Sequence, residues 1–373
     1  LLTSLFKPIG LHDSRGDSPW ILGDHMFDTT KVKRQQLIKK IEKARNSKVL
    51  CYLTSMRQGV PAQMSEDAVR QMMDYLLLIK KRPIERLDFF LCSNGGNSVV
   101  PWRLVALFRE FASEFNVLIP YRAYSAATIL SLGADNIVMH PFAELGPIDP
   151  TVSNDFNPLE EGSGRRLGIS VEDVKAYITF VKTTVGITHE DLLIKALEIL
   201  ANKVHPLALG NVERFLSQSR MMGRKILKTH MPEEKHDHVI NETIENLASR
   251  LFFHGHPINR KEAKDQLQLK VVHPDEKLEA DMWGLYKLYE DCFESQAPFN
   301  PIALMNKARA QAQSGQPINP VQCTLRHVIV EDSGKTSWYK TVRQYTDAIV
   351  EGPAGPMPGG VREELLSEGW THS

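Results

Sequence analysis

Short apolar runs alternate with stretches of helical period along the first part of the chain. Residues 31–45 place Leu37, Ile38 and Ile41 on one side of a helix. Residues 49–54 (VLCYLT) form an apolar run that reads as a buried strand. Ser65, followed by Glu66 and Asp67, offers cap chemistry for an amphipathic helix over 68–81. A second buried strand spans 87–92 (LDFFLC) and stops at Ser93-Asn94-Gly95-Gly96-Asn97. A helix over 99–114, a strand over 117–122, a short helix over 125–133 and a strand over 136–140 complete the run. Strands and helices alternating at this pace predict a mostly parallel sheet with helices packed on it.

Helical period dominates 170–250. Thr188-His189-Glu190-Asp191 opens one helix, and Pro206 opens another that runs toward Thr229. A compact α/β piece follows over 251–274. Residues 276–294 then read as an amphipathic helix, with Leu278, Met282, Leu285, Leu288 and Tyr289 on its apolar side. Residues 323–330 predict one more strand, and the Pro/Gly-rich 351–360 (EGPAGPMPGG) a loop or extended tail. The first thirty residues have no period and read as an arm. The organisation expected is an N-terminal arm and helix (1–45), a core (46–275), and a helical extension ending in a Pro/Gly-rich tail (276–373).

Composition narrows the class. The 373 residues suggest roughly two domains. Lys plus Arg and Asp plus Glu both number 45, so there is no basic excess of the kind nucleic-acid or anionic-lipid binding produces. Residues 31–45 are locally basic and read as a solvated helix face. The four cysteines are scattered, with no paired spacing, which fits a reducing compartment rather than a disulfide scaffold. The uncharged run 123–134 falls well short of the about twenty residues a membrane helix needs. No secretory leader is visible, although the sequence begins at Leu1, and a cytoplasmic location is the expectation.

The candidate chemistry lies between residues 87 and 150. One buried strand ends in Gly95-Gly96. The next ends in Ala123-Tyr124-Ser125-Ala126 and opens a helix. In a parallel sheet both ends share one rim, where such folds place their sites. Tandem glycines let a backbone approach a ligand closely. A serine at a helix N-terminus sits beside unpaired N–H groups and the positive end of the dipole. A hydroxyl and backbone donors are the parts of an acyl-transfer site. Each part alone reads first as something simpler, Ser125 as a helix cap and Gly95-Gly96 as a turn. The histidines 230, 236, 238, 254 and 256 match no zinc spacing, so no metal is expected.

The segments 87–101 (LDFFLCSNGGNSVVP) and 124–150 (YSAATILSLGADNIVMHPFAELGPIDP) resemble the Gly-Gly loop and nucleophile helix of the Clp/crotonase superfamily. Within it the chain is most similar to the signal-peptide-peptidase-like serine proteases, and among these to the serine dehydrogenase proteinases. Residues 248–274, with Arg250, Gly255, Arg260, Ala263 and Lys270-Val271-Val272, resemble the superfamily's later helix and final core strand. The resemblance implies an α/β spiral of ββα units with a mostly parallel sheet, a helical insertion and a C-terminal extension. It implies Ser125 as nucleophile, with the N–H groups of Gly96 and Ala126 as oxyanion hole. The place where Clp-type relatives carry a histidine falls on Pro147-Ile148-Asp149-Pro150. Signal-peptide-peptidase-like relatives use a lysine, which must be desolvated or near positive charge to act as a base. Lys203, between Ile199-Leu200 and Leu207-Leu209, fits that place. Lys175, Lys182, His140 and His205 are the alternatives. An insertion near 154–166 would absorb the long spacing from Ser125.

The expected protein is thus a serine endopeptidase with a Ser125–Lys203 dyad, acting on a peptide or protein substrate without a cofactor. It is expected to form a homo-oligomer through residues 276–294 or the tail beyond them. A crotonase-like acyl-CoA enzyme and a non-catalytic assembly module are the rival readings of the same fold.

Overall fold

The structure is a computed structural model that describes residues 20–22, 30–148, 151–152, 155–160, 166–250, 256–311, 320–352 and 355–373. Most of the expected N-terminal arm, His254 and Gly255, Asp149-Pro150 and much of the segment expected to absorb the Ser125–Lys203 spacing lie outside these residues. The chain divides into two units. The larger comprises 28–299, 326–340 and 370–373, and the smaller 1–27, 300–325 and 341–369.

The larger unit is built on the expected parallel sheet. Strands Val271–Val272, Asn136–Met139, Ala112–Ile119, Ile84–Cys92 and Lys48–Thr54 lie side by side in that order, all parallel. Residues 328–331 add an antiparallel neighbour to the last of them. Phe89 stands opposite Leu50 on one side and Val117 on the other. Side chains alternate between the two sheet faces, as a pleated strand requires. Leu50, Tyr52, Phe89 and Val117 face helices Asp67–Leu78, Val100–Phe111, Ala126–Ser131 and Pro206–Leu227. Val49, Cys51, Leu53, Phe90 and Leu118 face helices Lys31–Arg45 and Glu276–Phe293. Phe89 and Phe90 thus serve opposite layers, and both are fully buried. The α/β fold class read from the sequence is borne out by this arrangement.

Three expectations need correction. Helix Glu276–Phe293 is amphipathic as predicted, but its apolar face is covered within the chain. Leu278, Met282, Leu285 and Tyr289 are buried in the second layer with Ile38 and Ile41 of helix Lys31–Arg45. Most of the face expected to make an oligomer contact is therefore used within the chain, with Leu288 half-buried. The C-terminal region is not a helical extension with a loose tail. It holds helix Pro301–Gln311 and long strands Val321–Glu331, Thr336–Gly352 and Gly355–His372. Proline and glycine suggested a loop there, but proline is tolerated in an edge strand. In the smaller unit Trp20–Leu22 pairs in parallel with residues 321–323, and Arg343 bonds Glu363 at 2.6 Å.

The third correction is confined to one residue of the basic run 31–45: Lys33, Lys39, Lys40 and Lys43 are exposed, as a solvated face requires, but Arg34 is not. Arg34 is fully buried. Its guanidinium forks onto Glu331, Nε to Oε2 at 2.8 Å and Nη2 to Oε1 at 2.9 Å. Tyr289 Oη and Thr336 Oγ1 each donate to the same carboxylate at 2.6 Å. A buried charge is tolerable only when paired and fully hydrogen-bonded. This cluster meets that condition and ties three distant stretches of sequence together.

Candidate active site

Ser125 sits where the two-residue strand Arg122–Ala123 turns into helix Ala126–Ser131. Its backbone is at φ 51°, ψ −115°, a conformation rare for a residue with a side chain. Holding it there costs on the order of 1–3 kcal/mol, which the surroundings must supply. Thr128 contributes: its Oγ1 lies 2.7 Å from Ala123 O and accepts the Gly146 N–H at 3.1 Å. Tyr124 is clamped as well, its ring packed on Gly146 and its hydroxyl donating to Glu144 at 2.5 Å. Burial, together with the neighbouring Glu144 carboxylate, raises the Tyr124 phenol well above its ordinary range. Ser125 itself is half-buried, and its hydroxyl makes no capping bond to the helix.

The glycine loop lies directly against this turn. Gly95 is at φ 95°, and a Cβ there would stand 2.6 Å from Tyr124 O, 2.9 Å from Ser125 Cβ and 3.0 Å from Ala126 N. Only a glycine permits that approach. Gly96, at φ 152°, runs beside Met64 in a parallel bridge. The Met64 N–H donates to Gly95 O at 2.8 Å, and the Asn97 N–H donates to Met64 O at 2.9 Å. Among the described residues nothing accepts from the N–H of Gly96. The same holds for Ala126, the first residue of its helix. The structure therefore brings Ser125, the Gly95-Gly96 loop and the Ala126 amide together on one rim of the sheet.

Lys203 is placed differently from the expectation. It lies in the turn between helices Glu190–Ala201 and Pro206–Leu227 and is exposed, not buried in an apolar pocket. Its apolar neighbours are exposed with it, Ile199 at 62% and Leu207 at 55%. Apolar flanks in sequence mark a surface that favours burial, but do not supply the layer that buries it. The alternatives fare no better. Lys182 is exposed and Lys175 half-buried. The His205 ring caps helix Pro206–Leu227, accepting the Leu207 N–H at 3.2 Å, and stacks on Phe156. His140 accepts the Phe142 N–H at Nδ1 and stacks on Trp283 with ring centres 5.2 Å apart. Burial, with the Arg260 charge, holds the His140 imidazole below its ordinary pKa, against the pull of Glu279. Among the described residues no cluster of side chains could hold a metal ion, and no helix is long and apolar enough to cross a membrane.

Sequence reasoning passed over Ser93, Thr54, Tyr124 and Glu144. Ser93 stands two residues before the first glycine, a spacing at which a hydroxyl can bond the backbone of a turn. Nothing in the sequence marks Thr54 or Glu144, which reach the site from other strands.

Part of the chain is similar to known proteins. Residues 20–159 match the family described as ClpP-like SDH-type serine proteinase. Over these residues that match bears out the resemblance read from the sequence. Two uncharacterized proteins of Methanocaldococcus jannaschii are also similar. MJ0137 is 23% identical over 269 residues, covering 71% of this chain and 81% of that protein. MJ1495 is 26% identical over 126 residues, 32% of this chain and 43% of that protein. Among solved structures, a variant of a membrane-bound stomatin-specific protease aligns with TM-score 0.30 and 12% identity, over 62% of this chain and 83% of its own. The ClpP protease catalytic domain of Plasmodium falciparum gives 0.34 and 11%, over 65% and 91%. Likeness this slight adds nothing to the fold described above.

Proposed function

We propose that this protein is a serine endopeptidase in which Ser125 is the nucleophile. The observation that carries the reading is the packing of the Gly95-Gly96 loop against Ser125, whose hydroxyl makes no capping bond, with the N–H groups of Gly96 and Ala126 lacking an acceptor among the described residues. Ser125 Oγ would bond to the peptide carbonyl carbon, and the carbonyl oxygen would take up negative charge between the two N–H groups. The serine's proton would pass to a base and then to the departing amine as the C–N bond breaks. The acyl-enzyme would be released by water through the same steps. No cofactor enters this scheme.

Lys203 is the base in this proposal. A lysine accepts a proton only when neutral, and burial favours the neutral form. The exposed apolar surface around Lys203 must therefore be covered in the active protein. A second copy of the chain is the proposed cover, and the homo-oligomer contact is proposed for this surface. A fluorophosphonate probe tests the central claim. It should label the wild-type protein at Ser125, and Ser125→Ala should abolish labelling. An unlabelled wild type at micromolar probe would end the peptidase reading. Lys203→Ala should lose peptide turnover as fully as Ser125→Ala, since nucleophile and base act as one unit.

A further inference from the structure

The hydroxyl of Ser93 has an unusual set of neighbours. Ser93 is fully buried, at the end of strand Ile84–Cys92. Its backbone bridges to Ala123: the Ser93 N–H donates to Arg122 O at 2.9 Å, and its carbonyl accepts the Tyr124 N–H at 2.9 Å. Its Oγ accepts the Gly95 N–H at 3.1 Å and a bond from Thr54 Oγ1 at 2.8 Å. Thr54 is itself buried, at the end of the adjacent strand Lys48–Thr54. One residue therefore grips both halves of the site. Its backbone holds the turn that leads into Ser125, and its side chain holds the glycine loop.

Accounting for the loop's backbone groups gives that grip a purpose. The Gly95 N–H goes to Ser93, the Gly95 carbonyl to Met64, and the Asn97 N–H to Met64. Among the described residues the Gly96 N–H has no acceptor. A glycine pair has little conformational preference of its own, so its peptide planes turn to whichever direction their partners dictate. With the Gly95 N–H held by Ser93, the peptide plane that follows it is constrained in turn. Without that bond, the Gly95 N–H would compete for the same space and the Gly96 N–H could rotate away.

We infer that Ser93, oriented by Thr54, is a positioning residue that sets the oxyanion-binding direction of the Gly96 N–H. The inference rests on the reading of Ser125 as nucleophile. Thr54 supplies the donor that fixes the Ser93 hydroxyl rotor, leaving its lone pair for the Gly95 N–H. Neither side chain touches the substrate.

The experiment is the saturation kinetics of fluorophosphonate labelling, in which Ser125 Oγ bonds to phosphorus and fluoride leaves. These kinetics separate probe affinity (KI) from the bond-forming rate (kinact). Ser93→Ala should lower kinact by about 10- to 100-fold with KI changed less than about twofold, because a misdirected donor acts in the bond-forming step. Thr54→Val, which keeps the volume and removes the hydroxyl, should lower kinact by a smaller factor, and Thr54→Ser should restore it. A merely structural role would alter thermal stability or KI and give no rescue by the hydroxyl alone. Ser93→Ala and Thr54→Val both labelling at the wild-type kinact would overturn the inference while leaving Ser125 as nucleophile intact. Failure of the wild type itself to label would instead remove the reading beneath it. Should Ser93→Ala not fold, the Thr54→Val and Thr54→Ser pair decides alone.

Discussion

At the residue scale, two positions are constrained by their surroundings with little tolerance. Gly95 has no room for a methyl group against Tyr124 and Ser125. Gly95→Ala should leave the protein folded but lower kinact for the fluorophosphonate by about 100-fold or more, since it pushes the loop from the nucleophile. Normal labelling by that variant would show that the loop and Ser125 do not cooperate. Glu331 is constrained by charge. Its removal strands Arg34 in an environment with no access to water. Glu331→Ala should cost about 3–5 kcal/mol in urea unfolding, whereas replacing pair members together with apolar residues of similar volume should cost far less. The contrast separates the penalty of an orphaned charge from the worth of the pair.

At the scale of elements, helix Glu190–Ala201 has an apolar pattern that the described residues do not cover. Of its apolar residues, Ala196 is buried while Leu192, Ile194, Leu197 and Ile199 are exposed. The apolar face of a helix is normally buried. In the proposed assembly this surface is covered by a second copy. Ile199→Asp should then shift sedimentation toward the monomer and lower peptide turnover together. A wild type that sediments as a monomer at micromolar concentration would remove the proposed cover. Helix Arg260–Asp265 shows the opposite case of local sufficiency. Asn259 accepts from Lys261 and Glu262 N–H groups, and the Glu262 side chain reaches back to the Asn259 N–H. Asn259→Ala should cost about 1 kcal/mol with no effect on labelling.

At the scale of the whole molecule, acid stability is the readout that sums buried titrating groups. Burial holds the His230 imidazole below its ordinary pKa, and the Arg109 charge adds to this against the opposing Leu132 carbonyl bond and Asp135. A histidine depressed in the folded state binds fewer protons there than when unfolded. Stability is therefore lost as pH falls through the unfolded histidine pKa of about 6.5, until the folded value is passed. His140 acts in the same direction. For Asp135 burial pulls upward, but the Arg109 guanidinium and the Phe115 N–H outweigh it and hold the carboxyl below its ordinary value. Its contribution is present above about pH 3.9 and lost below it. Urea unfolding at pH 7.5 and 5.5 should show a decline that His230→Gln reduces, with a separate loss below pH 4 that Asp135→Asn removes. Equal pH dependence in the wild type and His230→Gln would refute the assignment.

The order of strands and helices through residue 140, and the helix at 276–293, were legible in the sequence, because period and turn chemistry are local properties. The Ser125 turn and the glycine pair were legible too, since a small-residue strand exit is a local demand of the backbone. Boundaries moved where packing decided them: strand Ala112–Ile119 begins inside the predicted helix, because Ala112 and Phe115 enter the sheet core. What covers an apolar face was never legible. The same kind of pattern is buried at Met282 and left exposed at Ile199, and only the tertiary neighbours tell them apart. The burial of Arg34, the exposure of Lys203 and the Thr54–Ser93–Gly95 bonds likewise depend on residues far apart in sequence meeting in space. Local periodicity determined which elements form. Long-range contact determined which of their charges, hydroxyls and amides are left free to do chemistry.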